Sequence, residues 1–232
     1  MTKLLLLTPL IFFGCKKSDP PIRSSEKSIA SAIFRTSDNP VLSFDIAGAI
    51  TADSIKFSFP PYIAVNALVP LIEFSGKTIK PANKTPQDFT NGVSYQVTAE
   101  DGSMHNYFFA ITRMASDTST MVLGSWKLIK DSVSNNNWVN PSGGYPLPGV
   151  YIGAPGDFWK FEPNGVFSAR ENNITGSDTY NITANNKLVI PVWSNQYGPA
   201  TIETLNNASF IVYFSATSAN GGQYLRKVYL QR

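Results

Sequence analysis

Residues 157–170, DFWKFEPNGVFSAR, carry an apolar side chain at every second position on both sides of a turn signal. Trp159 and Phe161 precede the pair Asn164-Gly165, and Phe167 follows it. A period of two puts one row of side chains on a buried face and the other in water, which is typical of a β-strand. An Asn-Gly pair between two such runs predicts a hairpin. We therefore expect Trp159, Phe161 and Phe167 to point into one core.

The same pattern of short strands and tight turns continues to the end of the chain. Further strands are predicted at residues 179–182, 187–192, 200–205, 209–214 and 223–230. Consecutive hairpins favour an antiparallel up-and-down meander, which loses its exposed edges when it closes into a barrel. A barrel of about eight strands is either filled by side chains or holds one small ligand. Filling is favoured by four aromatic residues that we expect to point inward, Tyr180, Phe210, Phe214 and Tyr224.

Two motifs in this block resemble the lipocalin-like domains of Bacteroidota lipoproteins. They are Gly124-Ser125-Trp126-Lys127-Leu128 at its start and the hairpin at residues 158–167. The resemblance implies a lipocalin-like β-barrel over residues 121–232, in which a tryptophan plugs one end beneath an arginine from the last strand. We expect Trp126 and Arg226 to have these structural roles, with the guanidinium over the indole.

Residues 28–114 form an earlier β-rich block, and a polar linker at residues 115–120 follows it. Strands are predicted at residues 41–46 and 54–59, and a hairpin joins residues 93–97 to 107–111 across Asp101-Gly102. Helical periodicity is nearly absent, with short hints only at residues 28–33 and 86–89. Several short strands in about 85 residues fit a β-sandwich.

Four motifs of this block resemble the Ig-like domains found near the N-termini of Bacteroidota surface lipoproteins. They are IAGAI at residues 46–50, IKF at 55–57, PQDFT at 86–90 and YQVTAEDGS at 95–103. The resemblance implies a spacer, or a contributor to glycan handling, without catalytic residues. The fold class that we predict is therefore all-β, with an immunoglobulin-like β-sandwich followed by an antiparallel up-and-down lipocalin-like β-barrel.

The first fifteen residues combine a positive start at Lys3, an apolar run from Leu4 to Phe13 and the only cysteine, Cys15. The run is shorter than the roughly 20 residues that span a bilayer, and it fits the apolar core of a secretory signal. We predict a lipoprotein signal peptide at residues 1–14 and a flexible tether at residues 15–27. The alternative is an ordinary signal peptide with an incidental cysteine.

The segment after the cysteine, KKSDPP at residues 16–21, resembles the tethers of Bacteroidota lipoproteins. The resemblance implies acylation of Cys15, palmitate included, and attachment to the outer membrane on its periplasmic or cell-surface face. Two acyl chains already anchor a protein stably. We therefore expect the membrane to be a partner through lipidated Cys15.

Charge and cysteine content exclude several classes of function. The formal net charge is +3, it falls to +2 when Lys3 leaves with the signal, and the basic residues are scattered. Nucleic-acid binding needs a basic stripe, so we expect no nucleic-acid partner. A single cysteine excludes an intrachain disulfide, and the 43% apolar content must supply stability through core burial.

Candidate catalytic groups are scarce. The only histidine, His105, follows the Asp101-Gly102 turn, where an exposed hairpin position is expected. Motifs for a serine nucleophile, a phosphate-binding loop or a calcium loop are missing. We therefore predict no catalytic residue, no metal site and no cofactor.

Residues 133–156 lack periodicity and carry aromatic, asparagine and glycine residues. A segment of this length without periodicity is uncommon in a compact domain unless it is functional or disordered. Rings beside amides suit sugar recognition, although the same rings could simply pack the loop onto the barrel rim. The candidate ligand-binding residues here and elsewhere on the barrel are Trp138, Tyr145, Tyr151, Trp159, Trp193 and Tyr197.

The sequence thus favours a non-enzymatic cell-envelope lipoprotein that binds or presents a glycan, a small hydrophobic ligand or an envelope partner protein. The alternative is a structural or assembly module with a filled barrel and a spacer sandwich. An envelope hydrolase is less favoured, because its nucleophile and metal motifs are missing.

Overall fold

The computed structural model describes residues 22–136 and 148–232. Strands make up 54% of the structure and helices 5%, which confirms the predicted all-β class. Buried apolar side chains form two separate clusters, one drawn from residues 29–109 and the other from residues 122–230. Neither helix in the described ranges has the length and apolar character needed to cross a membrane.

The N-terminal block contains eight strands in two sheets. They are β1 (Ser28–Phe34), β2 (Ile46–Ala47), β3 (Ala49–Thr51), β4 (Ser54–Phe59), β5 (Pro70–Ser75), β6 (Thr78–Lys80), β7 (Val93–Thr98) and β8 (Met104–Arg113). The sheets have the orders β2-β1-β5 and β3-β4-β8-β7-β6, and β4 runs parallel to β8. The predicted hairpin is confirmed as β7–β8. The Ig-like assignment stays a prediction.

Three local predictions in this block are wrong. Residues 28–33 are not helical, because they belong to β1 and pair with β5. Residues 86–89 are not helical either, because Gln87 forms an isolated antiparallel bridge with Leu68. Residues 41–45 are irregular rather than strand, and the buried side chain of Asn39 holds the chain just before them. Its amide donates to the carbonyl oxygens of Arg35 (2.9 Å) and Val69 (3.0 Å), and its oxygen accepts from the Val69 amide at 2.7 Å.

The C-terminal block is an antiparallel meander with two short helices. Its elements are α1 (Thr118–Met121), β9 (Gly124–Asn136), β10 (Gly149–Ile152), β11 (Phe158–Phe161), β12 (Val166–Glu171), β13 (Ile174–Thr179), β14 (Asn181–Ile182), β15 (Lys187–Val189), α2 (Pro191–Tyr197), β16 (Ala200–Leu205), β17 (Ser209–Thr217) and β18 (Gln223–Gln231). The strand order is β13-β12-β11-β9-β18-β17-β16-β15-β14, with β10 beside β9. Because β18 pairs back onto β9, the sheet curls into a nearly closed barrel whose open seam lies between β13 and β14.

Helix α2 covers this seam, where the sequence predicts a strand over residues 187–192. The strand ends at Val189, and Pro191 opens the helix. Proline lacks the amide proton that a strand partner needs, but it fits the first turn of a helix. The amide of Val192 donates to Asp178 Oδ2 at 2.8 Å, so α2 is bonded directly to the edge strand β13.

The segment 133–156, which we expected to lack regular structure, is partly strand. Strand β9 extends to Asn136, and β10 pairs with it from Gly149↔Val133 to Ile152↔Lys130. Trp138 and Tyr145 lie outside the described residues.

Candidate functional site

One end of the barrel is plugged by a tryptophan, as predicted, but beneath a different arginine. Trp126 is fully buried, and its Nε1 donates to the carbonyl oxygen of Val122 at 2.8 Å. The guanidinium carbon of Arg232 lies 3.9 Å from the Trp126 ring centroid and 3.4 Å from that of Tyr62 in the N-terminal block. The prediction that Arg226 covers Trp126 is wrong, because Arg226 pairs with Val133 near the far end of β9.

A β-bulge in β9 turns a carboxylate into the barrel at the opposite end. Leu230 pairs with Leu128, but the next pair is Tyr229↔Lys130, which leaves Ile129 as an extra residue. Two residues of a bulged strand oppose one on its partner, so the alternation of faces is reversed beyond that point. Asp131 therefore stands opposite the buried Val228 and faces inward.

Asp131, Glu171 and Arg226 form an ion-pair network at this end. Nε of Arg226 donates to Asp131 Oδ2 at 2.9 Å, and its NH2 donates to Glu171 Oε1 and Oε2 at 3.1 and 3.0 Å. Burial disfavours the charged guanidinium, but the two carboxylates outweigh that cost and raise the pKa of Arg226. Glu171 also accepts a hydrogen bond from Trp159 Nε1 at 2.6 Å.

Helix α2 inserts Trp193 into the barrel above the aromatic core. Its ring stacks on Trp159, with centroids 4.8 Å apart, and meets the edges of Phe167 and Phe214. The Arg226 guanidinium carbon lies 4.4 Å from the Trp193 centroid. Trp159 is fully buried under these groups, so it is a core residue that reaches the site only through Trp193 and Glu171.

The core below Trp193 is filled, as the sequence favours. Phe161, Phe210 and Phe214 are fully buried, and Tyr224 is almost fully buried. Tyr180 is partly buried, its hydroxyl donates to the carbonyl oxygen of Glu162 at 3.0 Å, and its ring meets Phe161 edge-on. The described side chains thus fill the barrel at the level of these rings, and a cavity lies towards the mouth.

A cavity of about 530 Å³ lies at the mouth. The pairs Phe167↔Asp178, Ala169↔Gly176 and Glu171↔Ile174 place these six residues on one face of the β12–β13 hairpin. Opposed residues of antiparallel strands share a face. The cavity exists because Ala169 and Gly176, at the centre of this face, have small side chains or none. Its other walls are formed by Tyr151, Val192 and Trp193.

The cavity combines apolar walls with carboxylates. Val192 and Ile174 are 54% and 73% exposed, which is unusual for aliphatic side chains that line a concave site. Carboxylates of Asp131, Glu171 and Asp178 lie among them. The volume falls within the roughly 300–1,000 Å³ typical of small-ligand sites, where apolar surface and a few polar groups converge.

Tyr197 and Tyr151 have different positions around the mouth. Tyr197 stacks on Tyr224, with centroids 4.2 Å apart, and lines an adjoining cavity of about 420 Å³ together with Trp193 and Arg226. The hydroxyl of Tyr151 donates to Asp157 Oδ2, and this hydrogen bond lowers the pKa of Asp157 below its ordinary value. Tyr151 therefore ties β10 to the rim, with its ring beside the main cavity.

Three of the candidate ligand-binding residues selected from the sequence lie around the mouth, namely Tyr151, Trp193 and Tyr197, and their role in binding stays a prediction. Sequence reasoning missed the polar half of the site. The inward position of Asp131 could not be predicted, because strict alternation from Trp126 would turn Lys130 inward instead and the bulge cannot be seen in the sequence. Glu171 could have been identified from the sequence, because it is the next inward-facing position of β12 after Phe167 and Ala169.

His105 lies far from this site in the N-terminal block. Its Nε2 is 2.7 Å from Asp53 Oδ1, and its ring stacks on Tyr107. Within residues 22–136 and 148–232, no group of three or more His, Cys, Asp or Glu side chains is arranged to hold a metal ion.

Comparison with known proteins bears mainly on the N-terminal block. Residues 41–111 match the family model described as SGBP, N-terminal. This match covers less than a third of the chain and leaves the barrel outside it. No curated protein matches the sequence significantly.

Two solved structures have limited similarity to the chain. One is a Bacteroides thetaiotaomicron protein assigned provisionally as a glycoside hydrolase, with 14% identity and a TM-score of 0.35. It is aligned over 89% of this chain, which spans 56% of that protein's chain. The other is a deswapped triple mutant of bovine odorant-binding protein, with 11% identity, a TM-score of 0.28 and coverage of 48% of this chain and 74% of its own.

Proposed function

We propose that this protein is a non-catalytic glycan-binding protein of the bacterial cell envelope and that the barrel mouth is its binding site. The observation that carries the proposal is the cavity in which Val192, Ile174 and Trp193 stand beside the carboxylates of Glu171 and Asp178. Sugars present an apolar ring face and a rim of hydroxyl donors. Such a ligand can place its ring face on the aliphatic and aromatic walls while its hydroxyls donate to the carboxylates.

The family match supports the same direction. The family described as SGBP, N-terminal comprises surface glycan-binding proteins of the Bacteroidetes. In this proposal, residues 28–114 form a separate Ig-like unit, residues 115–120 are a linker and residues 121–232 are a lipocalin-like unit. Residues 1–14 are removed as a signal peptide, and Cys15 carries the acyl chains that hold residues 15–27 and the rest of the chain at the outer membrane.

Binding is favoured over hydrolysis by the position of Arg226. A glycosidase needs two carboxyl groups facing each other across the scissile bond, roughly 5–9.5 Å apart. Arg226 NH2 lies 2.7 Å from Asp131 Oδ2 and 3.0 Å from Glu171 Oε2. The guanidinium thus occupies the space between the two carboxylates, where the scissile bond of a substrate would have to lie.

Gly176→Phe tests the proposal by filling the cavity from its own wall. A Cβ at Gly176 meets no atom within 4 Å, and its backbone needs no positive φ, so the new ring enters the cavity without strain. We expect affinity for the tightest binder in a panel of neutral, acidic and amine-bearing polysaccharides to fall by at least about tenfold. Affinity electrophoresis screens the panel, and isothermal titration calorimetry measures the loss.

Gly149→Phe is the matched control. Gly149 also has open space around its Cβ, lies on an exposed strand and does not line the cavity. We expect it to bind as the unmodified protein does, and both variants to keep their melting temperature. Undiminished binding by Gly176→Phe would place the glycan elsewhere, and a panel without any binder would overturn the proposed function.

A further inference from the structure

The walls of the mouth carry an excess of negative charge. Three carboxylates line the cavity, those of Asp131, Glu171 and Asp178, and among the described residues Arg226 is the only basic one that lines either mouth cavity. At neutral pH these groups leave a formal charge of −2. The mouth is therefore acidic, although the chain as a whole has a formal net charge of +3.

One of these carboxylates has an oxygen without a partner. The Asp131 side chain is only 10% exposed, and both of its contacts with Arg226 are made by Oδ2. Its other oxygen, Oδ1, is buried and accepts no hydrogen bond from any described residue. A buried carboxylate oxygen without a donor is costly, so positive charge placed close to Asp131 is favoured.

The single guanidinium cannot neutralise the site. Arg226 divides its hydrogen bonds between Asp131 and Glu171, so one positive charge faces two negative ones. Asp178 lies on the same face of the β12–β13 hairpin as Glu171, and its Oδ2 accepts a hydrogen bond from the Val192 amide. Because the site is partly shielded from solvent, the remaining charge acts more strongly on a ligand than it would on an open surface.

From this geometry we infer that the mouth selects a glycan that bears a protonated primary amine, such as an amino sugar without an N-acyl group, over neutral and acidic glycans. An ammonium group offers three donors and no acceptor, which suits the carboxylates of Glu171 and Asp178 beside the incompletely paired Asp131. A uronate or sulfate would meet the same carboxylates as like charges. This inference rests on the proposed glycan-binding function and specifies its ligand class.

A pair of oligosaccharides that differ only in charge tests the inference. A glucosamine oligosaccharide and its fully N-acetylated form of equal length are titrated into the full chain by calorimetry. A mildly acidic buffer keeps the amines of the oligosaccharide protonated. We expect the amine form to bind at least about tenfold more tightly than the N-acetylated form. A polygalacturonate oligosaccharide should bind more weakly than both.

Two variants assign this preference to the mouth. Asp131→Asn and Asp178→Asn each remove one charge and keep an acceptor oxygen, and the second is useful if the first fails to fold. Each should reduce the preference for the amine form over the N-acetylated form several-fold. Asp88→Asn, on the exposed surface of the N-terminal block, is the matched control and should change neither affinity.

The outcomes separate this inference from the proposed function. Equal binding of the two forms would overturn the amine preference and leave glycan binding intact. A preference that persists equally in the Asp131, Asp178 and Asp88 variants would arise from the general surface and would also overturn it. Failure of these oligosaccharides and of every polysaccharide in the panel to bind would overturn both proposals.

Discussion

Replacing Arg226 with methionine should lower the free energy of unfolding by about 3–5 kcal/mol, because the substitution leaves buried carboxylates without their cation. Arg226 is 8% exposed, and its ion pairs with Asp131 and Glu171 are 2.7 and 3.0 Å long. Methionine keeps much of the packing against Trp193, so the loss reports mainly on charge. Chemical denaturation followed by tryptophan fluorescence measures it.

The neighbouring residue on β18 supplies the control. Lys227 pairs with Glu203 at 2.7 Å on the outside of the barrel, and both side chains are partly exposed. Lys227→Met should therefore change stability little. A second control is the triple variant Arg226→Met, Asp131→Asn, Glu171→Gln. It removes the two carboxylates that Arg226→Met leaves without a cation, so it should recover part of the lost free energy of unfolding. A loss no larger than that of Lys227→Met would show that the network is not effectively buried.

Replacing Trp126 with alanine should also cost about 3–5 kcal/mol, because it removes the largest side chain from the closed end and leaves a void. The indole is fully buried, lies 5.4 Å from the Phe210 ring centroid and keeps its Nε1 bonded to the chain. The substitution also removes one of the two rings beside Arg232. Thermal and chemical unfolding both report the effect.

Phe108→Ala is the comparison for this variant. It deletes an aromatic ring that is 46% exposed, so we expect a change well below that of Trp126→Ala. An unchanged unfolding midpoint for Trp126→Ala would contradict the assignment of Trp126 as the plug of the barrel.

Alternation predicted the regular parts of the fold well. Trp159, Phe161 and Phe167 are buried in one core, as their spacing indicates. The antiparallel hairpin of β7 and β8 forms around Asp101-Gly102, as predicted. These elements follow from local pattern and turn chemistry, which a sequence shows directly.

The predictions that failed concern features that leave no pattern in the local sequence. The bulge at Ile129 reverses the faces of β9, and it is visible only once β18 is paired alongside. Helix α2 has seven residues, too few to show a helical period. Arg232 follows the last strand, so strand alternation gave no reason to place it over Trp126.

The candidate site was predictable only in its aromatic half. Tyr151, Trp193 and Tyr197 were selected by residue type, and all three lie at the mouth. The cavity itself depends on two small residues, Ala169 and Gly176, standing opposite each other on β12 and β13. This pairing depends on the register of the two strands, which the sequence does not show directly. Its charge depends on bringing Asp131 of β9 beside Glu171 and Asp178 of the β12–β13 hairpin, which lie far from it in sequence.

The most direct test of ligand binding at the barrel mouth is an NMR titration that follows the indole N–H signals of the four tryptophans. Trp193 lines the cavity and Trp159 bonds Glu171, whereas Trp126 is at the closed end. Single Trp→Phe variants assign the signals. With the tightest-binding glycan, binding at the mouth should shift the Trp193 and Trp159 signals and leave the Trp126 signal in place. Saturable binding that moves neither Trp193 nor Trp159 would contradict it.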